Sequence, residues 1–153
     1  GESAVRMVLV LALGMPIVLY YAGSPELNWL TLPLAFIVIF GAIMIDFCAL
    51  SIIGLLAFVT EDITSFRLIY QKLVFILGGL MLPLDFLPDW LRRIAELLPF
   101  HLTTYAPAKL IVAFSWEQFT HFLIRQTIWI CILGGILIWQ YRGATKRLAV
   151  NGG

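Results

Sequence analysis

Few side chains here can do chemistry, and their positions narrow what that chemistry is. Asp46 is the only charge between Glu26 and Glu61. Glu61, Asp62 and Arg67 share the polar stretch TEDITSFR. Asp85, Asp89, Arg92, Arg93 and Glu96 fall between Pro83 and Pro99, with Pro88 among them. His121 and Arg125 stand one helical turn apart. A carboxylate deep in an apolar run is costly in lipid, so Asp46 either lines a pathway or meets a polar group on a neighbouring helix. No HExxH, GxSxG, phosphate-binding glycine loop or CxxC occurs. The chain therefore carries no catalytic, cofactor-binding or metal residues, and no loop that would hold ATP in the usual way. Cys48 and Cys131 both lie in apolar runs, where a thiol behaves as a small hydrophobe.

The elements that must hold these residues are set by composition. Hydrophobic residues make up 61% of the 153 positions and charged ones 12%; mean hydropathy is +0.98. A soluble domain is nearer a quarter charged, and one this small leaves much of its surface in water. Lipid is the solvent that fits. A net charge of +1 gives no field for nucleic acid.

Spacing of the charges predicts an all-α polytopic bundle of about four transmembrane helices in one domain. Crossing takes about 20 apolar residues. The first span is expected over 7–22, kinked by Pro16 and closed by Tyr20 and Tyr21. The second covers 29–59 and is long enough to tilt or project; Trp29 anchors it, and Gly41 and Gly54 offer small faces for helix contact. The third covers 66–84, with Arg67 and Lys72 snorkelling at its start and Gly78 and Gly79 near its centre. The fourth covers 117–141, opened by a Ser115-Trp116-Glu117-Gln118 capping box, with Gly134 and Gly135 inside it as packing faces. Arg125 can snorkel outward or meet lipid phosphate.

Between the last two spans lies an interfacial hairpin, 85–114. Asp89 can cap a helix beginning at Trp90. Trp90, Leu91, Ile94, Leu97 and Leu98 then share an apolar face, with Arg92, Arg93 and Glu96 opposite, until Pro99 stops the helix. Such a helix lies in the interface. Pro107 can start a second apolar piece, 108–114. Lys and Arg near the span ends favour a cytoplasmic C-terminus, which makes the hairpin extracytoplasmic and the 60–67 loop cytoplasmic.

The stretches GLLAFVTEDITSFR (54–67), FILGGLMLPLDFLPDWLRRIAELLPF (75–100) and APAKLIV (106–112), followed by a span and a basic tail ending LAVNGG, resemble the C-terminal half of ABC-2-type permeases. The nearest likeness is to the ABC-2 family transporter proteins of unknown substrate. The resemblance implies six spans in the whole protein, of which the four here are the third to sixth. It also implies a homo- or heterodimer with separate ABC ATPase subunits carrying ATP and Mg, and a re-entrant hairpin on the outer face. Gly1 is expected not to be a native start.

On this basis the expected function is the permease subunit of an ATP-driven exporter. It would move an amphipathic or hydrophobic cargo by alternating access across a prokaryotic cell membrane. Glu61, Asp62 and Arg67 are the candidate ATPase contact or cytoplasmic gate. Asp46 is the intramembrane candidate. Pro83, Asp85, Pro88, Asp89, Trp90, Arg92, Arg93, Glu96 and Pro99 are the candidate outer gate. The competing reading is a non-transporting structural or accessory subunit of a larger membrane complex.

Overall fold

In the computed structural model, residues 31–151 are described, apart from 59, 61 and 83; of residues 1–30 only 5, 12 and 16 are. The expected first span, Trp29, Glu61 and Pro83 lie outside the described residues. So do the side chains of Asp85 and of 145–150. Every element among the described residues is helical.

Helix α1, Thr31–Leu55, is 25 residues long. Pro33 sits in its first turn, where a missing N–H costs nothing. A 3-10 turn, Leu56–Phe58, tightens its end, and Thr60 donates both its N–H and its hydroxyl to Leu56 O. Helix α2 is Thr64–Leu77. Asp62 Oδ1 accepts the Thr64 N–H at 2.7 Å, satisfying one of the donors a helix start leaves unpaired.

Helix α2 has 14 residues, about 21 Å, and stops well short of the expected end of the third span at 84. Gly78 and Gly79 stand at the end of the helix, and Gly78, as expected of a packing glycine, lies close against the hairpin: a Cβ there would meet Thr104 Oγ1 and the Phe100 carbonyl. Gly79 adopts φ +79°, and the chain closes back through Met81 N–H to Phe75 O at 3.1 Å. Gly79→Ala puts a Cβ into this left-handed conformation and is expected to cost about 1 kcal/mol, read as a lowered unfolding midpoint in detergent.

After a 3-10 turn, Leu84–Phe86, three short helices form the hairpin: α3, Asp89–Leu97; α4, Phe100–Thr103; and α5, Tyr105–Val112. Pro88, not Asp89, is the N-cap of α3, and no side chain caps that end. Asp89 instead occupies the first turn, where its charge opposes the helix dipole. At the other end Leu98 is extended, with ψ 160°, the conformation a following proline imposes. Pro107 lies inside the first turn of α5 instead of starting a new piece after it.

The apolar face foreseen for α3 divides in two. Ala95 is wholly buried, with Leu91 and Leu98 packed around Leu77 and Leu84. Trp90, Ile94 and Leu97 point outward, Trp90 and Leu97 at 65% and 70% exposure. The small Ala95 lets α3 approach the protein, which leaves the bulky residues for lipid.

Helix α6, Trp116–Asn151, has 36 residues. The box at its start does not close, because Gln118 Oε1 is buried without a partner and so takes no proton from the Ser115 N–H. Only α1 and the Trp116–Ala144 stretch of α6 are long and apolar enough, among the described residues, to cross a membrane.

Helices α1 and α6 run parallel. Gln126 meets Val38 and Gly41. Farther along both helices, Phe47, Ser51, Gly54 and Leu55 face Leu137, Ile138, Tyr141 and Arg142 across an apolar groove of about 670 Å³. The hairpin packs beside the first half of both helices: Leu102, Ala106 and Leu110 join Val38, Ile45, Phe119 and Phe122 in the main core. On α1 the buried stripe is Ala35, Val38, Ala42, Ile45 and Cys48. The opposite face shows Phe36, Phe40, Ile43 and Phe47, a surface that water would not tolerate at this size. Of the glycines expected at helix contacts, Gly41 and Gly78 are each at one; Gly54, Gly134 and Gly135 have open space where a Cβ would point.

Candidate functional site

Three helical stripes converge under the hairpin. From α3 come Arg92 and Glu96; from α4 and α5 come His101, Tyr105 and Lys109; from α6 come Gln118, His121, Phe122 and Arg125. Their spacing of three or four residues puts each set on one face of its helix. With Leu84 they enclose a chamber of about 190 Å³, roomy beside the space one water needs.

Its polar groups are held by short contacts. Arg92 Nε donates to Glu96 Oε1 at 2.8 Å, and both side chains are about two-fifths exposed, so the pair sits at the mouth. Arg125 Nη1 donates to the Glu96 carbonyl at 2.6 Å, tying α6 to the last turn of α3. Lys109 Nζ donates to Tyr105 Oη at 2.8 Å and lies 5.1 Å from the ring centroid. Asp89, Arg92, Arg93 and Glu96 also line a second, shallower hollow of about 220 Å³ along α3.

His101 is 2% exposed and gives its Nδ1–H to Leu98 O at 2.8 Å. Burial holds its pKa below the usual imidazole range, and the nearby Arg125 charge pushes the same way; hydrogen bonds to backbone carbonyls oppose both. The sign follows. A base depressed in the fold binds fewer protons folded than unfolded, so its contribution to stability is present above the unfolded pKa and is lost as pH falls below it. Hairpin docking is therefore expected to loosen as pH drops below about 6.5, seen as faster amide exchange over 100–112. His101→Asn, which keeps a donor for Leu98 O and does not titrate, is expected to flatten that dependence.

Deeper in the bundle, Gln126 joins three elements. Its Nε2 donates to Val38 O at 2.9 Å and to Leu102 O at 3.1 Å. Its Oε1 is buried without a partner, facing Gly41. Near mid-span, Tyr70 Oη donates to Asp46 Oδ1 at 2.6 Å, and the Tyr70 ring lies 6.0 Å from that of Phe100. Of the two readings of Asp46, the polar inter-helix partner is thus present. Thr104 Oγ1 donates to Gly78 O, fastening the hairpin to the end of α2.

The residues singled out from the sequence do not gather at one place, and Asp46 stands apart against Tyr70. Arg92 and Glu96 are in the chamber. Trp90 and Arg93 lie on the outward side of α3, Pro88 and Asp89 are exposed at its start, and Pro99 is buried behind it. Asp62 and Arg67 are exposed beyond the far end of α1. Asp62 is held below the usual carboxylate range by its hydrogen bonds to Thr64. The sequence does not single out Tyr70, His101, Tyr105, Lys109 or Gln126, and it marks Gln118 only as part of a capping box. The four-residue spacing of His101, Tyr105 and Lys109 was the available signal, masked by the helix break at Thr104.

Comparison with known proteins sets this architecture in a family. Neither the curated proteins nor the solved structures contain a match. A family model described as ABC-2 family transporter protein matches residues 2–152. The chain belongs to the ABC-2 transporter family, as an integral membrane permease of an ABC-2 transport system.

Proposed function

We propose that this chain is the permease of an ATP-driven exporter that moves an amphipathic or hydrophobic cargo by alternating access, as one half of a dimer. The observation that carries the reading is the parallel packing of α1 and α6. The end of α1 and the start of α6 lie on opposite sides of the bundle, so the chain between them must cross back. Helix α2 and the turn after it make that return, Tyr70 passing Asp46 and Gly78 arriving at Thr104. With the expected span over 7–22, the count is four. The hairpin then sits at the end opposite Asp62, Arg67 and Arg142.

Force applied at one end reaches the other through these contacts. ATPase subunits docked at Glu61, Asp62 and Arg67 would tilt α1 and α2. Gln126 and Thr104 tie the hairpin to α6, α1 and α2, so a tilt of the spans shifts the hairpin. Asp62 and Arg67 suit docking because both are exposed and the Arg67 guanidinium makes no contact among the described residues. Arg142 and the basic tail favour the cytoplasm for that end. The outward face of Phe36, Phe40, Ile43 and Phe47 is apolar enough for lipid or a second subunit.

The test is purification from native membrane. An ABC ATPase subunit is expected to accompany the protein, and Asp62→Lys combined with Arg67→Glu is expected to cut its retention by about tenfold or more. If no ATPase accompanies the wild-type protein, the accessory-subunit reading takes its place.

A further inference from the structure

We infer that the chamber under the hairpin binds the phosphate of an anionic lipid headgroup. Among the described side chains, three cations, Arg92, Lys109 and Arg125, line the chamber with one carboxylate, Glu96. That carboxylate is already taken by Arg92. Lys109 and Arg125 have no carboxylate partner among the described residues: Lys109 meets only Tyr105, and Arg125 only a backbone carbonyl. Each keeps further N–H donors for an anion. Excess positive charge in a half-enclosed space, where screening is reduced, is the arrangement that captures a phosphate.

The level of the site points to where such a group comes from. Trp90, Ile94 and Leu97 are exposed on α3, as on a helix lying in the interface with its rings among the headgroups. Arg92 and Glu96, on the same helix, form the mouth. The chamber therefore opens at the depth of lipid phosphates. It is fed from the bilayer plane, whereas a soluble ester would have to enter past the mouth pair from water. This inference concerns binding and needs no ATP, so it is separable from the transport reading it adds to.

The full chain with its native partners, in nanodiscs of phosphatidylcholine with or without phosphatidylglycerol, supplies the test. Lipid retained by the protein is measured by native mass spectrometry without nucleotide. Phosphatidylglycerol is expected to be enriched over phosphatidylcholine, and Lys109→Gln and Arg125→Gln are each expected to reduce that enrichment by about tenfold. Arg125→Gln also removes a tie to α3, so Lys109→Gln, whose side chain holds nothing but Tyr105, is the decisive variant; limited proteolysis confirms that its hairpin is intact. Displacement by soluble glycerol 3-phosphate as efficient as by the lipid would assign the same chemistry to a soluble source. Equal retention of both lipids by wild type and Lys109→Gln, with no displacement by glycerol 3-phosphate, overturns the inference.

Discussion

Gly41→Val is expected to destabilise the bundle by about 3 kcal/mol, while Gly54→Val, thirteen residues along the same helix, is expected to be close to neutral. A Cβ at Gly41 would lie 2.3 Å from Gln126 Oε1 and 2.8 Å from its Cδ, distances at which something must move. The amide is the end of a flexible side chain, but it is not free to leave. Its Nε2 is committed to Val38 O and Leu102 O, and Gln126 is 2% exposed. Moving it breaks two hydrogen bonds in a buried place, and leaving it forces α1 away from α6. Overpacking and an unsatisfied buried amide each cost about 1–3 kcal/mol. At Gly54 a Cβ meets nothing within 4 Å, so the same exchange there measures the cost of valine in an open helix face. Unfolding in detergent checks both. A double-mutant cycle sharpens the assignment: Gly41→Ala with Gln126→Ala should cost less than the sum of the two. Strict additivity would mean that the two residues do not oppose each other.

Tyr70→Phe is expected to cost about 2 kcal/mol, because it leaves Asp46 Oδ1 in the middle of a span without its donor. Asp46→Leu alone should cost a comparable amount by stranding the Tyr70 hydroxyl. Replacing both, Asp46→Leu with Tyr70→Phe, removes donor and acceptor together and is expected to restore much of the stability. That double variant also separates the two uses open to Asp46. If the carboxylate only joins helices, the protein carrying both changes keeps its transport. If it also meets cargo, the protein folds and assembles but transports poorly. A double variant as unstable as the single ones would show that the pair contributes nothing to holding α1 against α2.

Much of the fold was legible because its causes are local. The amphipathic helix of the hairpin is bounded by Pro88 and Pro99, which act on their own neighbours whatever surrounds them. The last span was legible from the apolar run after Arg125. Asp46 was legible as a singular residue, though not its partner. Tyr70 is 24 positions away, and nothing in either residue's neighbourhood names the other. Gly79 departs from its expected packing role for a related reason, while Gly78 keeps it. A glycine pair in an apolar run suits close packing and a left-handed stop alike, and the choice depends on Thr104 and Tyr105 arriving from the hairpin.

The chamber illustrates the remaining division. The sequence by itself determined that lipid is this protein's solvent, that an amphipathic helix between prolines precedes the last span, and that charges collect on one face of it. Those follow from composition, periodicity and proline, which need no knowledge of what packs where. Only the tertiary structure decided that Trp90, Ile94 and Leu97 look outward while Arg92 and Glu96 look in, because the small Ala95 is the point of closest approach. Only it brought His101, Lys109 and Arg125 to one space, and only it set α1 parallel to α6 through Gln126 and Gly41. Each is a meeting between distant segments whose helices are individually ordinary, and its free energy comes from burial and hydrogen bonds that exist only after the segments have met.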